Sequence, residues 1–282
     1  METYPKRTND LWLTEAQTEN LHLSLRATDV LRHVRTPYQD LLVIRTLEYG
    51  NVMVLDGAIQ VTERDEFCYH EMMAHVALCA HPDPKRVLIV GGGDGGSLRE
   101  VLRHPGVEEA FLVDIDEEVI RASRDFFPTL SCAMDDPRAR VLPMDALKFI
   151  EEHRDEFDLV IVDSTDPVEF AAGLFEAPFY GNVARSLRDR GFVVCQTESP
   201  FSDTGVVREA LAALRQVFPV VRLCTGFMPT YPTGFWTYGV GTKGPDPSRP
   251  LRPAPEGTRY YSSEVHAAAF ALPPFLKEWV GA

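Results

Sequence analysis

The chain has 282 residues, 45% of them hydrophobic and 25% charged, with a formal net charge of -14 and an isoelectric point near 5.0. That length suits one large domain or a large domain with a small companion, and the composition is that of an ordinary globular protein. The excess of carboxylates disfavours nucleic acid and anionic membranes as partners and favours cations, and no run approaches the ~20 apolar residues of a membrane span.

The opening METYPKRTND carries no apolar signal region, so a reducing cytosol is the expected compartment. The five cysteines are odd in number, widely spaced and free of any Cys-x-x-Cys pair. Neither a disulfide framework nor a zinc cluster is indicated, and Cys195 and Cys224, in apolar runs, read as packing residues.

From about Leu21 to Thr62 short β-prone runs are broken by turn signals: Leu21 to Ala27 alternates, Leu41 to Leu47 is apolar, and Gly50-Asn51 and Asp56-Gly57 punctuate the next two. This predicts a small antiparallel β-domain of hairpins. A helix follows from Glu66 to about Cys79, ended by Pro82 and Pro84. His70 and His75 on it stand at i and i+5, about 140° apart at 3.6 residues per turn, so they do not form the i, i+4 pair of a zinc-protease helix.

Beyond Pro84 the rhythm becomes strand then helix. Val87 to Val90, Ala110 to Val113, Asp158 to Val162 and Phe192 to Gln196 are the strands; Ser97 to His104, Glu117 to Phe126, Ala177 to Arg188 and Val206 to Phe218 are the helices. Alternation of this kind predicts a parallel sheet covered on both faces. The late runs Val220 to Cys224 and Phe235 to Val240, with no helix between them, predict an antiparallel pair at the sheet's edge, and a helical tail is expected from Ser263 to Trp279. The expected division is residues 1–64 as the β-domain and 65–282 as an α/β domain.

Gly91 to Gly96, with Asp94 in fourth place, follows the first parallel strand and opens a helix, satisfying G-x-G-x-x-G at Gly91, Gly93 and Gly96. Asp114 closes the next strand about twenty residues on, where an acid accepts hydrogen bonds from ribose hydroxyls. Asp94 would repel a pyrophosphate but attract a positively charged sulfonium nucleoside. Asp145, after the short strand Arg140 to Leu142, is open to two readings, acceptor of an adenine amino group or helix N-cap.

Asp163-Ser164-Thr165-Asp166-Pro167 ends the strand Leu159 to Val162, and Pro167 keeps Asp166 in a loop. In open parallel sheets the carboxyl ends of the strands border the ligand crevice. Several acids there repel one another unless the ligand is cationic. A protonated alkyl amine must lose a proton before it attacks carbon, and a carboxylate takes it, a step worth ~10² to 10⁴ in rate. Tyr231, in the rigid loop Pro229 to Gly234, reaches back from the late strands, whereas Trp236 reads as packing.

Together these stretches resemble the spermidine synthases (polyamine aminopropyltransferases). The likeness runs through Leu55 to Gln60, Thr62 to Phe67, Tyr69 to Met72, Gly91 to Gly96, Asp114-Ile115-Asp116, Asp135 to Arg138, Asp163 to Pro167, Gln196 to Ser199, Pro229 to Pro232, Tyr260-Tyr261 and His266 to Pro273, nearly the whole chain. The resemblance implies a methyltransferase-like Rossmann fold behind a small β-domain, assembled as a homodimer or homotetramer. It implies Asp163 as the proton acceptor, Gln60, Tyr69, His70, Asp94, Asp166 and Tyr231 on the amine side, and Gln39, Asp114, Asp145 and Ala146 on the nucleoside. Ser164, Thr165 and Phe170 are further candidates beside them. The implied reaction moves an aminopropyl group from decarboxylated S-adenosylmethionine, a co-substrate, to putrescine, with no metal or cofactor, giving spermidine and 5′-methylthioadenosine. Three departures stand out: Asp114 where many members have Glu, Glu169-Phe170-Ala171 where Gly-Pro-Ala is usual, and Phe201 where a Trp is common. Three alternatives stay open at this stage: another acceptor such as cadaverine or agmatine, an S-adenosylmethionine-dependent methyltransferase, and a silent polyamine-binding protein.

Overall fold

The computed structural model describes residues 11–164, 177–202 and 204–280. Among them the strands form two sheets. The first is a five-stranded antiparallel meander in sequence order: β1 (Leu11–Thr18), β2 (Leu21–Arg35), β3 (Asp40–Thr46), β4 (Asn51–Leu55) and β5 (Ala58–Thr62). β2 is twice the length its alternation suggests because the register shifts between Ala27 and Asp29 and again between Val30 and Arg32, and each bulge resets which face a side chain takes. The strand β1, unanticipated from sequence, is mostly exposed apart from Glu15, whose Oε1 accepts from the Ile59 amide of β5 at 2.8 Å, so one carboxylate joins the two edges of the sheet.

The long helix α1 (Glu66–Ala80) leads into the second sheet. Its seven strands run in the order β11-β12-β10-β9-β6-β7-β8, namely Val220–Phe227, Phe235–Thr242, Leu187–Gln196, Phe157–Asp163, Arg86–Gly91, Glu109–Asp114 and Ala139–Pro143. Neighbours from β10 through β8 are parallel, while β12 is antiparallel to both β10 and β11 and lies between them. The predicted antiparallel pair is therefore present, with β11 as the edge.

Both faces of this sheet are covered. Val87, Ile89, Leu159 and Ile161 pack with α1 and with α2 (Gly96–Leu102). Leu88, Val90, Val160 and Val162 alternate to the other face, against α5 (Ala146–Glu151), α6 (Ala177–Ser186) and α7 (Thr204–Val217). Strands buried on both sides must be apolar throughout, which is why these runs show no alternation. α3 (Glu117–Phe126) and α4 (Pro128–Ser131) bring Val119, Ala122, Phe127 and Leu130 against Leu41, Val43, Met53 and Val61, seating the small sheet over the large one. The expected tail helix is two, α8 (Ser263–Ala269) and α9 (Pro274–Val280), because Pro273-Pro274 interrupts it. Cys195 and Cys224 are buried, as their apolar runs predict.

Candidate active site

A cleft opens where the carboxyl ends of β6, β7, β8 and β9 meet the small sheet. It encloses about 1160 Å³ of empty space including its mouth, ample for a small molecule, and its walls include Gly91 to Asp94, Asp114, Asp145, Ala146, Asp163 and Ser164. Gln39, Gln60, Tyr69 and Tyr231 close it from above. Of the acids expected at this crevice, Asp94, Asp114, Asp145 and Asp163 border it together.

At one end stands Asp163. Tyr69 donates its hydroxyl to Oδ1 at 2.8 Å, and Ser97 donates to Oδ2 at 2.6 Å. Burial raises the carboxyl above the ordinary aspartate range and the charge of Asp94 adds to this, while His70, Ser97 and Tyr69 pull it back. Asp94 accepts from the Gly96 amide at 2.6 Å. His70, expected among the amine contacts, is not on the cleft wall. It is buried behind Asp94, with Nε2 3.3 Å from Asp94 Oδ1 and Nδ1 2.7 Å from Glu66 Oε2. Burial opposes its charge, but the two carboxylates outweigh that and hold the imidazolium well above its usual range. Arg99 in turn pairs with Glu66 at 2.8 Å. His75, on another face of α1, contacts Glu100 and His104 and takes no part in the cleft.

The glycine loop shapes this end by absence of side chains. A Cβ on Gly91 would lie 2.2 Å from the Asp163 carbonyl oxygen, one on Gly93 2.7 Å from Asp114 Oδ2, and one on Gly96 2.3 Å from the His70 ring. Each glycine of the pattern thus clears room for a different acid or for the imidazole behind it.

At the other end, Asp114 accepts from the Gly93 amide through Oδ2 and the Asp116 amide through Oδ1, both at 2.9 Å. Burial pushes its carboxyl up to about 6. Gln39 gives its amide nitrogen to Asp116 at 2.8 Å, leaving its carbonyl oxygen for a ligand. Asp145 does cap a helix, accepting from the Leu147 amide at 2.9 Å, and it also borders the cleft. Val90, Val113, Ile115 and Leu147 supply apolar walls between these polar groups, the surface an aromatic base needs.

Beyond Tyr69 and Tyr231 a recess continues from the cleft, bordered by Gln60, Gln196, Trp236 and two further acids, Glu15 and Glu198. Tyr231 donates to the Gln60 carbonyl at 2.7 Å, and its loop is tied down by Asp65, whose Oδ2 accepts from Thr230 N and Oγ1 at 3.1 and 2.8 Å. Trp236 packs on Tyr231 as expected of a packing residue, yet it also walls the recess. Glu15 and Glu198 were not among the expected site residues: Glu15 sits on an edge strand away from any motif, and Glu198, though inside the Gln196 to Ser199 stretch that carries the resemblance, was assigned no role. Ser97 was not among them either, being an unremarked residue in the first turn of α2. Phe201, where the family commonly has Trp, is 64% exposed against Phe235 and Phe275 and borders neither cleft nor recess. Thr165, Asp166 and Phe170 lie outside the described residues.

Comparison with known proteins gives this geometry a family. The profile of the spermine/spermidine synthase domain matches residues 66–249, and that of the spermidine synthase tetramerisation domain matches residues 11–63. A polyamine aminopropyltransferase of Caldicellulosiruptor saccharolyticus is 48% identical over 274 residues, covering 95% of this chain and 98% of that protein. Another, from a Thermoanaerobacter species, is 47% identical over 271 residues with 95% and 98% coverage. Among solved structures, a spermidine synthase in complex with the transition-state analogue AdoDATO superposes with a TM-score of 0.94 at 40% identity, covering 100% of this chain and 98% of that one. The spermidine synthase of Thermotoga maritima gives 0.92, also at 40%, with 98% and 95% coverage. By the extent of these matches the chain belongs to the spermine/spermidine synthase family and is an aminopropyltransferase.

Proposed function

We propose that the chain transfers the aminopropyl group of decarboxylated S-adenosylmethionine to putrescine. One observation carries this reading: a single cleft has nucleoside-type groups at one end and a file of carboxylates at the other, continued by Glu15 and Glu198 in a recess beyond Tyr69 and Tyr231. A nucleoside lies naturally along Asp114, Gln39, Asp145 and the apolar walls. The sulfonium and the terminal amine of the aminopropyl arm then face Asp94. Ordinary S-adenosylmethionine would bring a carboxylate to the same place, against Asp94 and Asp163, so the charge pattern favours the decarboxylated donor.

Asp163 accepts a proton from one nitrogen of the diamine. The freed lone pair attacks the aminopropyl carbon bound to sulfur, the new C–N bond forms as the C–S bond breaks, and the bonding electrons stay on sulfur, which departs as a neutral thioether. The distal ammonium is held in the recess, which fixes the attacking nitrogen in line. Asp166 is proposed to assist on the amine side, with Ser164, Thr165 and Phe170 beside it. We further propose a cytosolic homotetramer joined through the small sheet, whose β1 and β2 expose Leu11, Trp12, Leu21 and Val30.

The test is to incubate the purified protein with decarboxylated or intact S-adenosylmethionine and a panel of putrescine, cadaverine, agmatine and spermidine, and to identify products by mass spectrometry. Spermidine with methylthioadenosine as the dominant pair is expected. A methylated amine, or a clear preference for another acceptor, refutes the assignment.

A further inference from the structure

The two oxygens of Asp163 are not equivalent. Oδ1 lies on the side of Tyr69, which borders both the cleft and the recess. Oδ2 is turned inward: a Cβ on Gly92 would stand 2.9 Å from it, and the Ser97 hydroxyl donates to it from a fully buried position. Ser97 is the second residue of α2, one step past the first helical residue and beyond the N-cap position from which a serine hydroxyl satisfies a free backbone amide. Here the N-cap is Gly95 with no side-chain cap, and the hydroxyl crosses to β9 instead. Nothing about the helix calls for that bond.

We propose that Ser97 is a positioning residue for the transfer reaction: by occupying the inner oxygen of Asp163 it keeps the carboxylate ionised and leaves Oδ1 as the atom that takes the amine proton. This rests on the reading of Asp163 as the base. Ser97 keeps its own proton throughout. The proton leaving the attacking nitrogen goes to Oδ1, and Tyr69 yields its hydrogen bond or re-aims it as that proton arrives. The other groups facing Asp163 are Asp94 on the glycine loop, His70 and Tyr69 on α1, and Tyr231 and Tyr238 from the late strands. The three phenols are all pushed well above their ordinary range by burial and then by surrounding charge, so they remain neutral donors over the working pH range. Ser97 is thus the donor on the inner side.

A donor to the carboxylate lowers the pH at which Asp163 protonates, so its removal moves that protonation upward, and activity that needs the carboxylate is lost at a higher pH. The experiment compares Ser97→Ala and Ser97→Thr with the parent enzyme from about pH 5 to about pH 9, following methylthioadenosine release. Infrared difference spectra locate the protonation of Asp163 itself, with Asp163→Asn identifying its band. Ser97→Ala is expected to shift the acid limb of kcat/KM and the infrared titration upward together by about one pH unit, with loss of rate greatest at low pH. Ser97→Thr, which retains the hydroxyl, should restore both. A uniform fall in rate with unmoved limb and titration would make Ser97 merely structural and overturn the proposal, even if Asp163→Asn is inactive. Near-normal turnover by Asp163→Asn would remove the base on which the proposal stands.

Discussion

Gly96→Ala is predicted to destabilise the protein through His70 and not through the backbone. The added Cβ would lie 2.3 Å from ring atoms of His70, a separation no pair of non-bonded heavy atoms tolerates. The ring cannot step aside, because it is 2% exposed and clamped between Glu66 at 2.7 Å and Asp94 at 3.3 Å. Overpacking of this kind costs about 1–3 kcal/mol. If the ring is displaced, the charge-assisted contact to Asp94 goes too, a further loss of about 1.5–3 kcal/mol. The combined effect, about 2.5–6 kcal/mol, corresponds to a fall in Tm of about 4–10 °C for a chain of this size. Calorimetry on a double-mutant cycle tests the cause. In the His70→Ala background the same Gly96→Ala change should cost less than about 1 kcal/mol, because the space it needs is now empty. An equal penalty in both backgrounds would place the strain elsewhere and refute the argument.

Two further outcomes are expected. Methylthioadenosine should bind more weakly as pH falls through about 6, since Asp114, pushed up to about 6 by burial, there gains a proton and loses acceptor capacity toward the ribose; titration calorimetry at several pH values checks this, and Asp114→Asn should flatten the dependence. Asp65→Ala leaves the Thr62 hydroxyl and both donors of Thr230 without their partner, a loss of about 2–4 kcal/mol in stability, and frees the loop that carries Tyr231. Its KM for the amine should rise several-fold while methylthioadenosine affinity stays near that of the parent, which steady-state kinetics and calorimetry distinguish.

The legible parts of this molecule are those where a local pattern and a global role agree. Buried parallel strands need unbroken apolar runs, so Val87 to Val90 and Leu159 to Val162 declare themselves, and the fold then delivers Asp114 and Asp163 to one crevice without further information. The glycine loop was legible as a close approach to a ligand, although its glycines also make way for Asp163, Asp114 and His70, contacts that depend on chain segments far apart in sequence. What stayed hidden depends on such distant pairings. Glu15 on an exposed edge strand reads as solvent-facing until β5 is placed beside it. Ser97 reads as a helix residue until β9 is laid against α2. β2 looked short because bulges break its alternation, and α5 and α4, of six and four residues, are too short to show a period. His70 showed the reverse difficulty: its motif pointed to the site, but its side chain serves Asp94 from behind.

That arrangement bears on how a protein keeps so many acids together before any cation arrives. Asp94 takes the Gly96 amide and His70, Asp114 takes the amides of Gly93 and Asp116, and Asp163 takes Tyr69 and Ser97. Each carboxylate therefore has two protein donors, and the charge of His70, shared between Asp94 and Glu66, also reaches Asp163. Hydrogen bonds replace lost hydration but leave the repulsion between like charges in place. Burial raises Asp114 and Asp163 above the ordinary aspartate range, and the neighbouring carboxylates, Asp116 and Asp94 for the one and Asp94 for the other, add to it. The sulfonium of the proposed donor and the ammonium of the proposed acceptor would offset that negative field, which favours cations in this cleft. In the proposed reaction transfer leaves methylthioadenosine neutral, so the nucleoside would lose the attraction that drew its precursor in, which favours its release.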